Sequence, residues 1–341
     1  MAKSGDIIHL RLASYQLQQI IGTSTYGEVW RTRAEGGLPV ALKLVHTARM
    51  HQQASELQAH WLRAAHKEIL FLRSLSPWDE RHIVRLIDDG MQDGIPVLAL
   101  ELMAGDLYQH LQNHPATPLE RCLQWLAQIN QALAKVHQYG WRYLDLKPAN
   151  LLLSTDRQTL KLADFGTSHR NLQLCNANDP QQQTAQQHDY RGTANWQAPE
   201  QFFPARFDEQ GALYTTDART DYFALGALFY YLLTQGLPLR FCSLCGQSFS
   251  SHQVQGALAL QQATPLTLYP DEEQLFLNLI DAGQERSTPS MLARAALGLL
   301  QQLLAAKPEQ RPPHALAIAR QIDALLAKVV AGHGTGMVEM A

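Results

Sequence analysis

The segment Asp145-Leu-Lys147-Pro-Ala-Asn150 sets three chemically useful groups within six residues. Phosphoryl transfer asks mainly for positioning and charge neutralisation rather than difficult covalent chemistry. A carboxylate such as Asp145 can align a hydroxyl and accept its proton, a lysine such as Lys147 can steady the moving phosphoryl group, and the carbonyl of Asn150 can hold a magnesium ion. Asp164-Phe-Gly166 follows fourteen residues after Asn150, beyond the apolar segments Leu151–Leu153 and Leu160–Ala163. Mg2+ prefers hard oxygen ligands. Asp164 would give it a carboxylate and Asn150 a second oxygen. An Asp-Phe-Gly tripeptide alone is readable as a plain turn; its order after Asp145 and Asn150 favours the metal.

A second set lies upstream. Gly22-Thr23-Ser24-Thr-Tyr-Gly27-Glu-Val29 sits between two expected strands. Glycines at such a turn let the backbone approach a triphosphate and aim N–H groups at it. Ser24 stands where a middle glycine would be expected, and by itself the segment reads better as a structural hairpin. Lys43 adds weight, because it emerges from the apolar run Val40-Ala41-Leu42 sixteen residues after Gly27. A buried lysine needs an anionic partner. Phosphate oxygens would serve, and so would a carboxylate: Glu68 on the following helix, or, as second choice, Glu56.

These residues need a frame. Tyr15–Ile21, Glu28–Arg33, Val40–Val45, Ile83–Asp88 and Ile95–Leu102 read as strands. Ala48–Leu75 reads as a helix, with Ile69, Leu72 and Leu75 spaced along one face. Beyond Gly105 the pattern becomes helical, with candidates at Leu119–Gln138, Tyr222–Thr234, Met291–Ala306 and Ala315–Val330. A small sheet region (1–103) should precede a larger helical region (104–331) with a flexible tail (332–341), joined by a hinge near Glu101–Gly105. The Gln-rich stretch Asn176–Gln187 carries no apolar periodicity and reads as a loop.

Composition narrows the class. The 341 residues are 46% apolar and 17% charged with a formal charge of −3, and no long basic run recommends nucleic acid or a membrane surface as a partner. No stretch is apolar enough to span a bilayer, and the first twelve residues lack a signal-peptide pattern. Four cysteines make no disulfide framework, so a reducing cytoplasm is the expected location.

Taken together, Gly22/Gly27, Lys43, Glu68, Asp145–Asn150, Asp164–Gly166 and Ala198-Pro-Glu200 resemble the eukaryotic-like serine/threonine protein kinase family over about residues 15–330. The resemblance implies an α+β, two-lobed kinase fold with ATP and Mg2+ in the cleft between lobes. It further implies that Val29, Ala41 and Leu152 enclose the adenine and that Glu101 and Met103 give it backbone hydrogen bonds, with Leu100 as gatekeeper. Asp106 would reach the ribose or cap the helix after it. Asp221 would anchor the catalytic loop, and Arg311 would pair with Glu200. The segment Gly192–Glu200 resembles the platform that docks a protein substrate, and Thr193 with Lys147 resembles the serine/threonine branch. The rivals are a pseudokinase scaffold, which would normally have lost Lys43, Asp145 or Asp164, and a small-molecule kinase, which usually lacks the platform.

Three departures stand out. Tyr143-Leu144-Asp145 replaces the usual His-Arg-Asp; Tyr143 can still fill an apolar stacking position beside Phe165. Leu144 removes the arginine that would pair with a phosphorylated activation loop, so activity without that phosphorylation is expected. Trp196 replaces a frequent tyrosine. The 90-residue interval from Asp221 to Arg311 is long for the family, with the excess around Cys242–Ser287. That region reads as a loop or a docking surface for a regulatory protein. Cys242, Cys245 and His252 hint at zinc but supply three ligands where a structural site wants four. The composition and Tyr143-Leu144 are compatible with a bacterial member of the family.

Overall fold

The computed structural model describes residues 2–23, 27–45, 55–114, 116–170, 185–187, 192–209, 211–282 and 289–335. Its contacts divide the chain into two units: Met1–Gly105 with Leu152–Ser168, and Asp106–Leu151 with His169–Ala341. The stretch 152–168 therefore belongs with the sheet-bearing unit, although it lies far beyond the expected boundary at residue 103.

The first unit is an antiparallel six-stranded sheet in the order β1-β2-β3-β4-β6-β5. Its strands are β1 (Ile7–His9), β2 (Ser14–Thr23), β3 (Gly27–Ala34), β4 (Pro39–Val45), β5 (Leu86–Gln92) and β6 (Ile95–Glu101), with helix α1 (Ser55–Ser74) between β4 and β5. Side chains alternate across a strand, so cross-strand partners share a face. One face carries the core of Tyr15, Leu17, Trp30, Val40, Leu42, Val97 and Ala99. Ile83 and Val84, read from sequence as the start of β5, precede it. Both are fully buried, but they bond to Leu162 instead, through the Ile83–Leu162 bridge and the Val84 N–H on the Leu162 carbonyl at 2.9 Å. This ties the 152–168 stretch to the sheet.

The second unit is mainly helical: α2 (Leu107–Asn113), α3 (Leu119–Gln138), α4 (Ala218–Leu233), α5 (Arg240–Gln262), α6 (Pro270–Ile280), α7 (Met291–Leu303) and α8 (Ala315–Thr335). α4 is apolar on nearly every side and buried from Thr220 to Leu233, as a central helix should be. Asp217 starts it with a side-chain cap on the Arg219 N–H at 2.7 Å. Two of these helices replace the loop expected over Cys242–Ser287, of which residues 283–287 lie outside the described residues. The expected α+β content is borne out: an antiparallel sheet with one principal helix, then a helical unit.

Candidate active site

In the first unit, the face of the sheet opposite the core is set by register. Gly22 pairs with Val29, Val29 with Lys43, Lys43 with Leu98, and Ala41 with Leu100. These residues share one surface. From it the Lys43 ammonium donates to Glu68 Oε2 at 2.7 Å and Asp164 Oδ1 at 3.0 Å. Glu68 is thus the carboxylate that meets the lysine; the side chain of Glu56 and all of Ser24 lie outside the described residues. Burial pulls the Lys43 pKa down, but the charges of Asp164 and Glu68 more than offset it and hold the ammonium above the usual lysine range. The Glu68 carboxyl is pushed up by its own burial, with Lys43 opposing and Asp164 adding to the rise.

Asp164 sits at φ 58°, in the left-handed region that few non-glycine residues occupy. The next ring, Phe165, stacks on Phe71 of α1 at 4.3 Å, which fixes that turn against the helix carrying Glu68. The Asp164 side chain is 48% exposed, so it can meet a ligand while one oxygen rests on Lys43.

Thr23 is exposed at the end of β2, Val29, Met103 and Leu152 are half-buried, and Ala41 is buried. Gly27 has a structural reason to be glycine: a Cβ there would run into the Leu44 carbonyl of the neighbouring strand, with the carbonyl carbon 3.2 Å away. At Gly22 a Cβ would meet only the Val29 side chain, at an ordinary 3.7 Å. The Glu101 N–H donates to the Arg85 carbonyl at 3.0 Å, and its carboxylate takes Lys161 at 2.5 Å. In the second unit, Asp106 caps α2 by accepting the Gln109 N–H at 2.7 Å.

The second unit closes a ring of three side chains. Lys147 Nζ donates to Asp145 Oδ2 at 2.8 Å and to Thr193 Oγ1 at 2.7 Å, while the Thr193 hydroxyl donates to Asp145 Oδ1 at 2.7 Å. Asn150 Nδ2 donates to the Asp145 carbonyl at 2.9 Å and to Oδ2 at 3.0 Å, leaving its carbonyl oxygen as the acceptor end. Asp221, buried in the first turn of α4, accepts the Tyr143 and Leu144 N–H groups at 2.9 and 2.7 Å and the His137 ring at 2.8 Å. Arg311 grips Glu200 with two bonds at 2.7 and 2.8 Å.

Several contributors escape the sequence reading. Leu144 stands at φ 66°, and its carbonyl accepts Gln201 Nε2 at 2.9 Å. Gly192 passes so close that a Cβ would lie 2.5 Å from the same carbonyl. The cation nearest in sequence, Arg142, is buried and donates to the Thr216 carbonyl. Nothing local announces Gln201 or His137, because their partners lie 57 and 84 residues away.

Cys242 and Cys245 lie inside α5, fully buried, and burial pushes the Cys242 thiol up to about 12 and Cys245 higher still. Such thiols resist the deprotonation that zinc binding requires. Among the described residues no three His, Cys, Asp or Glu side chains gather as a metal site. The side chain of His252 lies outside them.

Residues 15–322 match the protein kinase domain family. The chain is similar to cyclin-dependent kinase F-4 of Oryza sativa subsp. japonica, 30% identical over 223 residues, covering 64% of this chain and 42% of that protein. It is 27% identical over 278 residues to serine/threonine-protein kinase ATG1c of Arabidopsis thaliana, covering 80% and 33%. It is 28% identical over 288 residues to serine/threonine-protein kinase pkn2 of Myxococcus xanthus, covering 82% and 32%. The match thus spans a third to two fifths of these relatives' lengths.

Proposed function

The chain belongs to the protein kinase family, and we propose that it transfers the γ-phosphoryl group of ATP to serine or threonine hydroxyls of protein substrates in a Mg2+-dependent reaction. The observation that carries this reading is the ring Asp145–Lys147–Thr193, with all three contacts between 2.7 and 2.8 Å. It links the candidate base to the segment Gly192–Glu200, where a protein substrate would dock.

Asp145 accepts the substrate hydroxyl proton as the hydroxyl oxygen bonds to the γ-phosphorus and the bond to the β,γ-bridging oxygen breaks, releasing ADP. Lys147 and Thr193 hold the carboxylate in place. Lys43, kept charged by Glu68, pairs with phosphate oxygens, and Gly22, Thr23, Ser24 and Gly27 give the backbone that covers them. Val29, Ala41 and Leu152 enclose the adenine beside Glu101 and Met103; Asp106, already a helix cap, can also reach the ribose. The donors assigned to the metal are a half-exposed carboxylate, Asp164, and an amide oxygen, Asn150, a hard-oxygen set that suits Mg2+. When bound, the ion would neutralise charge on the β- and γ-phosphates.

Activity without activation-loop phosphorylation is part of this reading. Buried Leu144 offers no cation to a phosphate, and its peptide is held by neutral groups and Asp221. A regulatory protein docking on Cys242–Ser287, where Leu266 is exposed, and a cytoplasmic location complete the proposal. Among the described residues no helix is long and apolar enough to cross a membrane.

The test is label transfer from γ-labelled ATP to the protein itself and to a generic basic protein. Label on serine or threonine is expected, absent with EDTA and restored by Mg2+, and enzyme treated with phosphatase before the assay, with the phosphatase removed, should still transfer it to a peptide. ATP binding without transfer would point to a scaffold, transfer only to metabolites to a small-molecule kinase, and loss of peptide transfer by enzyme dephosphorylated beforehand would reject the phosphorylation-independent state.

A further inference from the structure

α5 carries Gly246 in its interior, where glycine is a poor helix former. Its position gives the reason. A Cβ there would overlap the amide oxygen of Asn195 and lie 2.7 Å from Asn195 Cγ and 3.4 Å from Nδ2. Asn195 belongs to the short 3-10 turn Ala194–Trp196, which starts one residue after Thr193.

Both backbones are held, although the Asn195 side chain itself is exposed. α5 is seated by buried Phe241, Cys242 and Cys245, with the Phe241 ring edge-on to Phe203 and Phe223 at 6.1 and 5.7 Å. Its first N–H, at Arg240, is held by Glu272 at 2.7 Å. On the other side, Trp196 packs edge-on against Tyr231 at 5.1 Å, and its N–H donates to the Thr193 carbonyl at 2.8 Å. A side chain at 246 must therefore turn the Asn195 amide aside or shift the turn that carries it, and that turn is bonded directly to Thr193.

We propose that Gly246 is a positioning residue for the protein substrate: by letting α5 close onto Asn195, it sets the docking segment at the level that Thr193 and Asp145 require. α5 thereby becomes part of the substrate platform. The inference rests on the protein-kinase reading and adds a specificity element to it.

Gly246→Ala is expected to raise the peptide KM about tenfold with the ATP KM within about twofold, whereas in an Asn195→Ala background the same step should change the peptide KM less than about threefold. An unchanged peptide KM, or an equal rise in both backgrounds, overturns the proposal. Thermal unfolding of the four proteins gives a readout that needs no activity. Alanine favours the helix, so Gly246→Ala should raise the midpoint when Asn195 is alanine and lower it when Asn195 is present. A rise of equal size in both backgrounds would also overturn the proposal. A wild type that phosphorylates no peptide would instead reject the kinase reading and leave the unfolding comparison to decide the contact.

Discussion

Asp164→Asn is expected to slow phosphoryl transfer by at least about 10²–10³-fold, the loss that follows removal of one preorganised electrostatic group from a transition state. The protein should stay folded. Asparagine tolerates the left-handed backbone better than almost any other residue with a side chain, so the φ of 58° at this position persists. Lys43 keeps Glu68 at 2.7 Å. Glu68 also loses a neighbouring negative charge that pushes its carboxyl upward, so the remaining ion pair becomes easier to form. The lost element is the carboxylate assigned to the metal. Initial rates with labelled ATP, alongside the unfolding midpoint, make the check. A variant with near-native rates would remove Asp164 from the reaction; one that unfolds would make it a structural residue.

The legible part of the site is the part whose chemistry is local. Asp145, Lys147 and Asn150 fall within six residues, and the structure joins them through contacts between neighbours in sequence. Lys43 is legible because a cation in an apolar strand demands a partner, and Glu68 because it lies on the next helix. Gly27 is legible as a glycine, but for the close approach of Leu44 as much as for any ligand. What escapes depends on distant partners. Gln201 acts on a carbonyl 57 residues away, His137 on a carboxylate 84 away, and Arg142 on Thr216 at a separation of 74. None of the three stands in a pattern that would single it out.

The same division holds for the fold. The Leu119–Gln138 helix follows its apolar period to the residue, with nine buried positions along one side. α5 does not: its Cys, Ser, Gly and Gln content hides any stripe, and its first N–H is capped by Glu272 from 32 residues downstream. Its interior also bends. A straight helix would hold residues eight apart at about 12 Å, yet a Cβ on Gly256 would run into the Ser248 carbonyl. β1 is three residues long, too short for alternation to register.

Asp145→Asn is expected to lower kcat by about 10²–10⁴-fold, the range for a lost general base, with the ATP KM little changed. The substitution isolates the proton acceptor because it preserves the ring around it. Asp145 now accepts on one oxygen from Thr193 and on the other from Lys147 and Asn150. An asparagine oxygen can keep the Lys147 and Asn150 donors, while its NH2 turns to Thr193, whose hydroxyl rotates from donor to acceptor. Geometry is retained and basicity is gone. Thr193→Val makes the complementary change: the carboxylate remains, but it loses one of the groups that orient it, for an expected loss of only about tenfold. If Asp145 is the base, the two variants differ by at least an order of magnitude in kcat. Equal losses would mean that Asp145 serves only to align the hydroxyl.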